Sequence, residues 1–321
     1  MYQDPILEPS TDEEVNVQLV TLTGRRETVR VQRASLVDDA LKNYADRNGL
    51  DAASMNFVHQ GQPYVYGAGK TFNDEPFAGL DIVVIFTIIR LRKPVIYLHS
   101  PTLLKATVSL SLSMAWSFSL LYPVAPIVFK GGCDHTSWTV DVRTDGTLYD
   151  TRTDTEVAYL YWEGETNLRP ISPPMTPDVP GAELFSPQTA VLLPSNSVLL
   201  CFEDVPKYLD TALKAMSLSV EARTSFITFW LPAMYCHKHV ALRFLPQGAY
   251  EGAAPLSVSP SPDVVTRVFM IFRGILDSEI SQWTRWSDPE AWKDVVGVDT
   301  ARAADPKLFR VLEWGGMEVT A

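Results

Sequence analysis

From Val15 the chain alternates apolar and polar residues as Val-Asn-Val-Gln-Leu-Val-Thr-Leu, breaks at Thr23-Gly24, and alternates again through Thr28-Val29-Arg30-Val31. A period of two sets the apolar members on one face of an extended strand, and no helix satisfies it. The two runs therefore predict a hairpin with one buried face. A helix is expected next. Ser35 stands as its N-cap with Asp38 at the third following position, Leu36, Ala40, Leu41, Tyr44 and Ala45 form an apolar stripe, and Asn48-Gly49 ends it. Short strands are expected at 56–60 and 64–66, and a long one at 82–91 after the turn-rich stretch 70–79.

Within this stretch Thr21-Leu22-Thr23-Gly24-Arg25 resembles the first hairpin turn of ubiquitin, and Arg90-Leu91-Arg92 resembles its C-terminal tail. The resemblance, shared with the small ubiquitin-like modifiers, implies a β-grasp domain over 15–92. In that family the exposed sheet face binds partner helices and motifs, and its apolar patch carries over to Leu22, Val58 and Ile88. A conjugatable modifier ends in Gly-Gly, whereas this chain runs on as Lys93-Pro94-Val95-Ile96-Tyr97-Leu98. That departure implies a domain that is not a removable tag. Gly131-Gly132 and Gly315-Gly316 do not follow the β-grasp stretch and read as turns or breaks.

Ahead of it, residues 1–14 are polar and acidic and read as a flexible arm. Beyond it, alternating strands at 95–98, 104–112, 117–122, 138–142 and 157–162, with Asp145-Gly146 as a turn, predict a β-rich second domain over 93–272, sandwich-like or a barrel. The proline-rich stretch 170–187 offers a subdivision at 165–196. After it come two helical patterns, 205–216 and 219–230, the second capped by Ser219 and stopped at Leu231-Pro232. Residues 273–321 read as a C-terminal tail carrying four of the eight tryptophans. The fold class is α+β, a ubiquitin-like β-grasp followed by a mostly β domain with a helical hairpin. Lys93–Leu98 and Tyr159-Leu160-Tyr161-Trp162-Glu163-Gly164 resemble two segments of an uncharacterised microbial family, as do 226–232 and 267–270. That family brings no established activity.

A formal charge of -11 without a basic stripe argues against nucleic acid as a partner. The most apolar stretches, 81–98 and 108–128, are interrupted by charged, Ser and Pro residues, so neither reads as a membrane span. With no secretory signal at the start, the reading is cytoplasmic, and Cys133, Cys201 and Cys236 are expected as free thiols.

Chemistry-bearing residues gather at Gly131-Gly132-Cys133-Asp134-His135 and at Cys236-His237-Lys238-His239. Cys133 with His237 or His239 as base, and Asp134 or Glu203 as orienter, would make a thiol hydrolase. A zinc set from Cys133, His135, Cys236 and one of His237 or His239 departs from the usual ligand spacing, and no metal or other cofactor is expected. Glu163 and Glu203, each at an expected strand end, could pair as carboxylates, against the plainer reading of ion pairs to Arg267 or Lys93. Tyr97, Tyr161, Trp162 and Trp230 could line a ligand pocket, although such aromatics more often fill cores. The functional reading is a protein-interaction or adaptor module whose ubiquitin-like domain binds a protein partner or docks on the second domain. The alternatives are a thiol (iso)peptidase of ubiquitin-like modifier pathways and, third, a small-ligand-binding protein.

Overall fold

The computed structural model describes residues 14–21, 26–48, 52, 55–59, 62–74, 77, 82–87, 90–167, 183, 185–187, 190–283 and 288–319. It divides into two compact units, residues 1–88 with 321 and residues 89–320. The fold is mixed α and β, with open sheets.

The first unit comprises β1 (Glu14–Thr21), β2 (Arg26–Gln32), α1 (Val37–Arg47), β3 (Met55–His59), β4 (Gln62–Tyr64) and β5 (Ile82–Thr87). They form one sheet in the order β2-β1-β5-β3-β4. Its central pair, β1 with β5, is parallel, and the other pairs are antiparallel. The alternation in β1 buries Val17 and Leu19 against Val37, Leu41, Tyr44 and Ala45 of α1, with Phe57 and Phe77 closing the core. Ser35 is not the helix cap. Its hydroxyl donates to the Gln32 carbonyl, and Leu36 occupies the cap position without a side-chain bond. Asp38 instead accepts from the Gly67 and Gly69 amides and the Tyr64 hydroxyl. Those bonds turn the carboxylate toward the 64–69 turn rather than toward its own helix end. The expected acidic arm lies outside the described residues except for Glu14, which opens β1.

The second unit comprises β6 (Arg90–His99), β7 (Leu104–Ser111), β8 (Trp116–Tyr122), β9 (Val128–Lys130), β10 (Cys133–Val142), β11 (Leu148–Asp150), β12 (Thr155–Val157), β13 (Leu160–Thr166) and β14 (Val198–Cys201). There follow α2 (Val205–Ala215), α3 (Val220–Met234), β15 (His239–Phe244), α4 (Gln247–Ala253), β16 (Leu256–Ser259), β17 (Val264–Gly274), α5 (Trp292–Val296), α6 (Thr300–Ala304) and β18 (Arg310–Glu318). A six-stranded sheet runs β12-β11-β10-β7-β16 with β9 beside β10, and a seven-stranded sheet runs β14-β15-β17-β18-β6-β13-β8.

The two sheets share a core in which Val108, Leu110, Trp138 and Val140 meet Leu98, Trp162, Phe269 and Val311. The opposite face of the seven-stranded sheet, carrying Val95, Leu242, Val268, Met270 and Trp314, is covered by Leu209 and Leu213 of α2 and Phe226 and Trp230 of α3. A sheet buried on both faces needs apolar residues at consecutive positions. Accordingly β15 is buried at all six positions, and Val268-Phe269-Met270-Ile271-Phe272 of β17 does not alternate. No described helix is long and apolar enough to cross a membrane.

Four expectations change. Arg90–Arg92 form no tail to the first sheet; they open β6, where Arg90 and Leu91 pair with Glu165 and Gly164 of β13 and Arg92 with Gly316 of β18. Residues 165–196 mark no subdivision, because β13 before them and β14 after them lie in one sheet. Residues 273–321 are not a tail: β18 sits between β17 and β6, with Trp314 fully buried. Pro232 does not stop α3, which continues to Met234. A proline in the last turn forfeits one backbone bond, to Thr228, with little helix left to break.

Gly131 and Gly132 form the turn between β9 and β10, both at positive φ, the backbone region that favours glycine. Gly315 and Gly316 are no turn. They lie in β18 at a register shift against β6. A Cβ on Gly316 would stand 2.7 Å from the Met270 carbonyl oxygen and 3.0 Å from Trp230.

Candidate functional site

The expected residues are spread over the second unit. Cys133 opens β10 in the six-stranded sheet, half-buried, opposite Lys130. His135, two residues on, has Nδ1 2.7 Å from the Ser111 hydroxyl and Nε2 3.1 Å from the Lys130 carbonyl, so both ring nitrogens are engaged away from the thiol. Asp134 accepts the Phe118 amide at 3.0 Å. His237 meets Glu318 at 2.8 Å, and the Cys236 thiol meets the Pro232 carbonyl at 3.6 Å. Among the described residues no three His, Cys, Asp or Glu side chains gather as metal ligands would.

Glu163 lies on β13, and Glu203 is exposed in the 3-10 turn that follows β14. Five strand-to-strand steps separate β14 from β13. At about 4.8 Å per step that is about 24 Å, far beyond the reach of a carboxylate pair. Neither carboxylate pairs with Arg267 or Lys93: Arg267 is held by Glu251 and Glu313, and Lys93 donates to the Ser225 hydroxyl. Tyr97 and Trp230 belong to the core under the helices, and Tyr161 packs against it, but Trp162 faces the inter-sheet core. Neighbours on a strand point to opposite faces, so the four aromatics line no common pocket. In the first unit Val58 is half-buried, while Leu22 and Ile88 lie outside the described residues.

One polar cluster is sealed in the inter-sheet core. Glu313, fully buried, takes Arg267 Nε at 2.5 Å and the indole N–H of Trp162 at 3.0 Å, with the Tyr250 hydroxyl at 3.3 Å. Burial alone would favour loss of the Arg267 proton, but Glu313, Tyr250 and Glu251 together outweigh it and hold the guanidinium pKa above its ordinary value. Burial, with the Glu313 charge second, pushes the Tyr250 hydroxyl well up. No substrate reaches a group this enclosed, and the cluster belongs to the architecture.

A thiol, an imidazole and a carboxylate do come together elsewhere. Cys201 closes β14, the edge strand, and pairs directly across the ladder with His239 of β15. Its Sγ lies 3.8 Å from His239 Nδ1, and His239 Nε2 lies 3.5 Å from Asp277 Oδ1. His239 is 9% exposed and Asp277 is exposed, also receiving Lys238 Nζ at 3.1 Å. Asp277 sits just past β17 in a short turn closed by the Glu279 amide on the Leu276 carbonyl. The ring thus stands between the thiol on its Nδ1 side and the carboxylate on its Nε2 side, the order of groups that a thiol nucleophile, its base and an orienting carboxylate require. Sequence reasoning singled out His239 but gave the thiol role to Cys133 and missed Asp277. The signal it had was the Cys-His-Lys-His run; the strand pairing that brings Cys201 to it spans 38 residues of separation.

No protein-family model matches this chain, and no curated protein shows significant similarity to it.

Proposed function

We propose that this chain is a protein-interaction module, its first unit a β-grasp domain of the ubiquitin-like kind that cannot be conjugated. The observation that carries the reading is the sheet order β2-β1-β5-β3-β4 with a parallel centre and one helix across one face. It is supported by Arg90–Arg92 being hydrogen-bonded into β6, which leaves no free end for conjugation. The docking face is the side of the sheet away from α1. There Val20 and Val58, both half-buried, flank position 84 of β5 in a single row across three strands. The patch named by the ubiquitin resemblance, Leu22, Val58 and Ile88, shares Val58 with that row.

The partner is an amphipathic helix carrying an apolar stripe, the class of ligand such a face takes. Titrating the isotope-labelled full chain with a synthetic peptide of that kind should move the amides of β1 and β3 around Val20 and Val58, and Val58→Arg should abolish the shifts. Unmoved β1 and β3 amides at millimolar peptide would sink the reading.

A second reading rests on a separate observation, the Cys201–His239–Asp277 contact. It is a thiol hydrolase acting on peptide or isopeptide bonds, with Cys201 as nucleophile, His239 as base and Asp277 as its orienter. Exposure alone makes the exposed Cys236 the fastest thiol toward iodoacetamide, since Cys133 and Cys201 are half-buried. Activation makes Cys201 about ten-fold faster than Cys236, an advantage lost in His239→Ala. Alkylation in order of exposure, unchanged by His239→Ala, would remove it.

A further inference from the structure

At one end of the seven-stranded sheet a cavity of about 60 Å³ is lined by His99 of β6, Thr266 of β17, Arg310 of β18, and Ser217 and Ser219 before α3. Alternation along each strand fixes the face. His99 shares it with Tyr97 and Val95, Thr266 with Val268 and Met270, and Arg310 with Trp314, all on the helix-covered side. The volume is several times the ~10–15 Å³ that one water requires, enough for a small polyatomic ion.

The lining is rich in donors, and although the Ser217 hydroxyl donates to the Thr300 carbonyl at 3.3 Å, two of the lining groups keep a polar atom without a partner among the described residues. Thr266 is 4% exposed, and its hydroxyl has no hydrogen-bond partner among the described residues. Arg310 gives Nη1 to the Ala303 carbonyl at 3.0 Å, but its Nε is buried with no partner. No carboxylate pairs with Arg310 among the described residues, in a chain with 38 acidic side chains against 27 Lys and Arg. Ser219 caps α3, a helix of 15 residues, by accepting the Ala222 amide at 3.1 Å. The preceding amides of Val220 and Glu221 keep no protein acceptor among the described residues, and they stand at the positive end of the helix dipole. Burial, and then the Arg310 charge, lower the His99 pKa below its ordinary value. The acidic influence on His99 is Glu221, exposed in the first turn of α3. None of the lining residues is acidic.

We infer that this cavity binds a tetrahedral oxyanion, as free phosphate or as the phosphate group of a small molecule. Arg310 supplies the charge, and Thr266 and the first amides of α3 supply the hydrogen bonds. A guanidinium and the N-cap of a helix lining one cavity, here Arg310 and Ser219, is an arrangement that compensates phosphate charge. The inference depends on neither functional reading above, because none of these residues takes part in them.

Inorganic phosphate titrated into the full chain at constant ionic strength should shift the Val220 and Glu221 amides and the His99 ring signals. Arg310→Gln should weaken binding at least about ten-fold, and Thr266→Val several-fold. Glu221→Gln should tighten it, since a repelling carboxylate is removed. Glycerol phosphate binding more tightly than inorganic phosphate identifies a small-molecule phosphate as the ligand, and equal affinity identifies free phosphate. The inference is overturned if chloride reproduces the shifts, if no shift centres on α3's first turn up to about 50 mM phosphate, or if Thr266→Val and Glu221→Gln both leave the affinity unchanged. The last two readouts need no Arg310 variant, so a folding failure of Arg310→Gln does not decide the outcome.

Discussion

Replacing Glu313 by Gln should lower the unfolding free energy of the second unit by about 3–5 kcal/mol, the cost of removing one partner from a buried ion pair. Glutamine has the right shape and can still accept from Trp162, so little of the loss comes from volume. What changes is that Arg267, 3% exposed, keeps its charge between two sheets with only Glu251 left, a carboxylate at the solvent margin. All eight tryptophans lie beyond residue 88, so indole fluorescence during urea unfolding follows this unit alone. The double variant Arg267→Met, Glu313→Leu should recover most of the loss, because an apolar pair owes no desolvation. A loss below about 1 kcal/mol for Glu313→Gln would mean that water or relaxation already screens the pair.

Gly316→Ala should cost about 3 kcal/mol, the upper end of the overpacking range. The new methyl would stand 2.7 Å from the Met270 carbonyl oxygen, which belongs to the neighbouring strand of the same sheet. Backbone cannot rotate out of the way as a side chain can, and Trp230 closes the other side at 3.0 Å. Gly248→Ala is the matched control. That position lies in α4 with nothing within 4 Å of the added methyl, and alanine there should stabilise by about 0.5–1 kcal/mol. Equal midpoints for the two alanine variants in the same urea experiment would contradict the close approach at Gly316.

The two glycines show why part of the fold stayed hidden in the sequence. Arg-Val-Leu-Glu-Trp-Gly-Gly-Met-Glu carries a charge and a glycine pair where a buried strand should have neither, so it reads as a tail. Glu313 is tolerated because Arg267 arrives from β17, and the glycines are required because β17 and Pro94 of β6 crowd them. Each explanation lies on another segment of the chain. The same holds for the thiol: Cys201 has no neighbour in sequence that marks it, and its imidazole comes from the next strand of the ladder. At the inferred anion cavity, the N-cap role of Ser219 was legible, whereas Thr266, Arg310 and His99 meet only through the sheet.

The sequence by itself determined what depends on nearest neighbours along the chain: the β1–β2 hairpin by its period of two, the stripe of α1, the Ser219 cap of α3 and the glycine turn at 131–132. Only the tertiary structure decided that residues 310–318 fill the middle of a seven-stranded sheet, that Arg90–Arg92 serve that sheet, and that Cys201 rather than Cys133 meets an imidazole. The physical reason is range. Backbone propensity, capping and alternation act over a few residues, while strand order, buried charge pairing and the convergence of unpaired donors arise between segments tens to hundreds of residues apart.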